Sequence, residues 1–94
     1  MHVRVVRFTD VTPERMAQLT TRVNDAGGPP EGVRTTGLQV LVDEAQQTAI
    51  VLQLFETAQD MADAEAIFDA MPPSDTPGTR ASVDRCEQKL DLRP

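Results

Sequence analysis

The stretch "TAIVLQLF", Thr48–Phe55, is apolar on both of its alternating faces. Side chains in a strand point to opposite sides in turn, so Ile50, Leu52 and Leu54 share one face while Ala49, Val51 and Phe55 share the other. A strand patterned in this way needs cover above and below. Ahead of it, "TTGLQVLVDE" alternates Leu38, Val40 and Val42 against Gln39 and Leu41, and the polar "DEAQQT" between the two runs has hairpin length. The two strands are therefore expected to pair antiparallel.

After Phe55 the pattern changes period. Thr57 and Asp60 stand in an N-cap to N3 relation, and Met61, Ala64, Ile67, Phe68 and Met71 give the following helix one apolar stripe. "PPSDTPGTR" then breaks the helix and reads as a polar loop, and "ASVDRCEQKLDL" alternates weakly as a last strand. Towards the N-terminus, "VRVVRF" puts Val3 and Val5 on one face and Val6 and Phe8 on the other, which reads as a first strand. "TPERMAQLTTRVNDAGG" supplies Thr12 as N-cap, Pro13 at the first helical position, a Met16, Leu19, Val23, Ala26 stripe and Gly27 as left-handed cap. "GPPEG" cannot continue that helix.

The resulting order is βαββαβ, an α+β arrangement that predicts a ferredoxin-like sandwich with an antiparallel sheet ordered 4-1-3-2 and two helices on one face. Residues 1–94 make one domain, too short for a second core. The second face of Thr48–Phe55 then lacks a cover, and a second copy packed sheet to sheet supplies one with a single self-complementary surface. A homodimer is the expected assembly.

Composition narrows the partners. Nine Lys and Arg against 15 Asp and Glu give a formal charge of −6, which argues against a basic track for nucleic acid. The longest apolar run is far short of the roughly 20 residues that span a bilayer, so no membrane partner is expected. The opening residues alternate Val and Arg without a secretory pattern, and a cytoplasmic location is the expectation. Cys86 is the single cysteine, which leaves no intrachain disulfide and no multi-thiolate zinc site. "GGPPEG" places prolines where a phosphate cradle needs N–H groups. No metal or cofactor is expected.

"TAIVLQLFETAQDMADAEAIFDAM", with "GLQVLVD" before the hairpin and "ASVDRCE" at the end, resembles the antibiotic-biosynthesis-monooxygenase-like proteins of the dimeric α/β-barrel superfamily. The resemblance covers most of the chain in the order and spacing of its elements. It implies a sheet-to-sheet dimer with a small-molecule pocket between the sheet and its own helices. It also implies a choice of function: binding of a small apolar or aromatic molecule, cofactor-free oxygenase or isomerase chemistry on an aromatic or polyketide-like substrate, or a non-catalytic interaction module. Binding without catalysis is the expected reading, because this chain has no Trp or Tyr and places Phe55 where a tryptophan often precedes the Glu.

The candidate residues are few. Asn24 corresponds to a helix position where polar side chains bind substrate in some oxygenases of the superfamily, and Phe55 is the candidate apolar ligand contact. His2 offers the imidazole that titrates nearest neutral pH. An ordinary register places Cys86 opposite Val6, roughly 13 Å along the strand from His2, which argues against a Cys–His dyad. The alternatives for these two are a strand-end residue and a small packed thiol. Arg4, Arg7, Arg85 and Glu56 are expected to gather on adjacent strands, either as a site for an acidic ligand or as solvent-facing and interchain ion pairs.

Overall fold

The computed structural model describes residues 1–71 and 76–93. Its elements are β1 (His2–Thr9), α1 (Pro13–Ala26), β2 (Gly37–Asp43), β3 (Thr48–Phe55), α2 (Ala58–Asp69) and β4 (Thr79–Glu87). All strand pairs are antiparallel, and the sheet runs β2-β3-β1-β4, which counted from the other edge is 4-1-3-2. The α+β arrangement is compatible with a ferredoxin-like fold. No helix among the described residues is long and apolar enough to cross a membrane.

Local chemistry sets the helix ends. The Thr12 hydroxyl accepts from the Arg15 N–H at 3.2 Å, and that of Thr57 accepts from the Asp60 N–H at 3.0 Å. Gly27 closes α1 in the left-handed conformation at φ 69°. In the β2–β3 hairpin, the Asp43 carboxylate accepts from the backbone and side-chain amides of Gln46 at 3.2 and 2.8 Å, which fixes the turn.

One face of the sheet carries Val6, Phe8, Ala49 and Val51, which form a buried cluster with Val11. A second cluster joins Phe55 to Val33, Met61 and Ala64, so α2 lies on the sheet through its apolar stripe. That stripe is shorter than expected: α2 ends at Asp69, and Met71 lies beyond it with its side chain exposed. Between the two clusters sit Arg4 and Gln53, the buried polar side chains among the described residues.

The opposite face carries Val3, Val5, Leu41, Ile50, Leu52 and Leu54, by the alternation of the paired registers. No helix of the described residues lies over it, and its β3 side chains are half-exposed, whereas those on the helix side are buried.

Two expectations about the last strand are corrected. Thr79 and Arg80 belong to β4 instead of the preceding loop, whose residues 72–75 lie outside the described ones. Cys86 pairs with Val3, not Val6, and His2 with Glu87. The register shifts between Arg7, opposite Ser82, and Phe8, opposite Arg80, so Ala81 is an extra residue in β4. The strand also enters close to the backbone of the β1 end: a Cβ on Gly78 would collide with the Thr9 carbonyl oxygen and sit 3.0 Å from Val11 Cγ2.

Candidate functional site

The sequence pattern gives both helices an apolar stripe, but the two stripes do different things. α1 buries no residue. Met16 in its first turn packs on the Val6 cluster, while Leu19, Val23 and Ala26 border a cavity of about 1250 Å³ that is open to solvent. The floor is the helix-side face of the sheet, with Val6 and Phe8 of β1, Val40 of β2 and Val51 of β3. Pro29, Pro30 and Val33 close the end beyond α1, and Phe68 of α2 with Met71 just past it forms another wall. Filling such a volume with an apolar body stabilises the complex by roughly 25 cal/mol for each Å² of apolar surface removed from water.

Polar groups are set into this lining at one side. Arg4 reaches the cavity from β1 although it is only 3% exposed. Its Nη1 donates to Gln53 Oε1 at 2.8 Å and its Nη2 to Asp69 Oδ1 at 3.4 Å. Arg4 Nε is buried with no hydrogen-bond acceptor in range, and its nearest anion is Glu65 Oε1 at 3.6 Å. The guanidinium also lies 5.5 Å from the Phe68 ring centroid, a cation–π distance. Burial, and then the charge of Arg80, push the Arg4 pKa down from its ordinary value, against Glu65 and Asp69.

Arg80 donates to the same Asp69 Oδ1 at 3.0 Å, so one carboxylate oxygen serves two guanidiniums. Outside the cavity, Arg85 Nε donates to Glu65 Oε2 at 2.8 Å and its Nη2 contacts Glu65 Oε1, a bidentate pair. From α1, Arg15 Nη2 donates to the Thr76 carbonyl at 2.9 Å, tying the helix to the segment before β4.

The expected charged group is thus regrouped. Arg4 and Arg85 do come together, but through Glu65 and Asp69 of α2 and with Arg80. Arg7 lies on the other sheet face, and Glu56 is exposed after β3. Gln53 and Asp69 were missed. A usable signal exists for Gln53: it shares alternation with Val51 and Phe55, as Arg4 does with Val6 and Phe8, so both polar residues occupy the buried face. Asp69 carries no such signal, because its partners come from distant strands.

The other candidates fall outside the cavity. Asn24 is exposed on α1 and is not among the lining residues, which follow the Arg15, Leu19, Arg22, Val23, Ala26 side of the helix. Phe55 is fully buried in the α2 cluster and does not reach the cavity. Cys86 is exposed. It stands one position from His2 in register, but alternation puts Cys86 on the open face and His2 on the helix side, so they form no dyad. Among the described residues, no three His, Cys, Asp or Glu side chains gather as metal ligands. No protein-family model, curated protein or solved structure matches the chain.

Proposed function

We propose that this chain is a homodimeric α/β-barrel protein of the antibiotic-biosynthesis-monooxygenase-like kind, which binds a small apolar or aromatic molecule between α1 and the sheet. The observation that carries this reading is the cavity of about 1250 Å³, walled by an apolar helix stripe that buries none of its own residues. Its lining includes no His, Cys or Asn, and Asp69 is its one carboxylate among the described residues. That favours binding over cofactor-free oxygenase chemistry. The uncovered face of Val3, Val5, Ile50, Leu52 and Leu54 supports pairing with a second copy.

The chain has no Trp, so Val23→Trp places a single indole on the cavity side of α1. Titration with the neutral probe N-phenyl-1-naphthylamine is expected to give saturable probe fluorescence, with energy transfer from the introduced indole. A signal that rises without saturating, or saturates without energy transfer, removes the cavity as the binding site.

A further inference from the structure

The cavity is mainly apolar, yet among the described residues the charged groups in and behind its wall are unbalanced. On the α2 side, three guanidiniums (Arg4, Arg80 and Arg85) share two carboxylates, Glu65 and Asp69. On α1, Arg15 is held by a neutral carbonyl, which orients its charge without cancelling it. This excess of positive charge occurs in a chain whose formal charge is −6, so it is local and not a property of the composition.

Asp69 shows what these groups accept. Its Oδ1 receives Arg4 at 3.4 Å and Arg80 at 3.0 Å, so the pair already converges on a carboxylate oxygen. The hold is a poor one. Asp69 is half-exposed and is the last residue of α2, where the helix dipole disfavours a negative charge. Arg4, by contrast, is nine-tenths buried and retains an Nε with no acceptor in range. A buried donor without a partner is costly, and a charge-assisted bond is the strong kind.

We propose that the molecule bound in this cavity is an amphipathic monocarboxylate, with its apolar body between α1 and the sheet and its carboxylate on Arg80 and Arg4 at the Asp69 position, in a cavity that Arg15 also lines. This rests on the cavity-binding reading above and adds the charge and placement of the ligand's head.

Matched pairs separate the two ideas: decanoate against 1-decanol, and 1-naphthaleneacetate against 2-(1-naphthyl)ethanol, each displacing N-phenyl-1-naphthylamine from the intact protein at pH 7. Each carboxylate is expected to displace the probe at about a tenfold lower concentration than its alcohol, with the advantage shrinking as salt is raised. The acyl and naphthyl arms report which body fits. Arg80→Gln and Arg15→Gln each reduce that advantage several-fold while leaving the alcohols unchanged, and Asp69→Asn increases it by removing the negative charge that competes for both guanidiniums. Equal displacement by acid and alcohol, or variants that shift both members of a pair alike, overturns the carboxylate assignment alone. Displacement by neither member removes the cavity-binding reading and this assignment with it.

Discussion

Arg4 and Gln53 face each other across the β1–β3 ladder and, among the described residues, are the two buried polar side chains, joined by a 2.8 Å hydrogen bond. Gln53→Leu leaves an Arg4 donor buried without its acceptor and is expected to cost about 1–3 kcal/mol in urea unfolding. Adding Arg4→Met recovers most of that loss, because an apolar pair needs no partner and Arg80 and Arg85 remain for Asp69 and Glu65. A double variant as unstable as the single one shows that Arg4 supports the fold by another route.

The two helices predict different responses to the loss of equivalent caps. Thr57→Ala is expected to lower global stability by about 1 kcal/mol, since α2 carries the Phe55 cluster. Thr12→Ala acts on a helix that buries nothing, so its effect appears in amide exchange of α1 far more than in the unfolding midpoint. Equal midpoint shifts contradict this division.

Acid sensitivity follows from Glu65. The hydrogen bond from Arg85 holds its carboxyl below the ordinary glutamate value, helped by the charges of Arg85 and Arg4 and opposed by burial and Asp69. A depressed folded-state value gives stability that is complete above the unfolded pKa and is lost as pH falls through the folded one, below about pH 4. Carboxyl NMR titration is expected to show Glu65 moving up in Arg85→Gln, and Glu65→Gln is expected to flatten the acid limb of the stability curve.

The open sheet face gives a prediction about assembly. Leu52 lies at its centre, opposite Val5 and Gln39 on its two neighbouring strands. Light scattering is expected to give a dimer for the native chain and a folded monomer for Leu52→Lys. A native monomer at micromolar concentration contradicts sheet-to-sheet pairing.

Gly78→Ala tests the close approach of the β4 entry to β1. The obstacle is the Thr9 carbonyl, part of the backbone and unable to rotate away as a side chain would. A loss of about 1–3 kcal/mol is expected in thermal or urea unfolding.

The elements were legible because their signals are local. Thr12, Gly27 and Thr57 mark helix ends within a few residues, and the alternation of Thr48–Phe55 needs no knowledge of what packs on it. The register of β4 was not legible, since one extra residue at Ala81 depends on how two distant strands meet. Nor was the role of α1, because a Leu19, Val23, Ala26 stripe looks the same whether it seals a core or walls a cavity. The charged site was read in part: Arg4 and Arg85 were named, but the acids that join them sit on α2 and the third arginine was read as loop.

The extra residue in β4 reaches further than its own ladder. Were Ala81 paired in regular register, it would take the place opposite Phe8 and Arg80 would move one place along β1, opposite Thr9, with its guanidinium turned away from Asp69 towards the uncovered side of the sheet. A one-place change of register would thus move a positive charge from the chamber to the uncovered face, with the sequence and net charge untouched. The polarity of the chamber is in this sense spelled by strand phase as well as by composition.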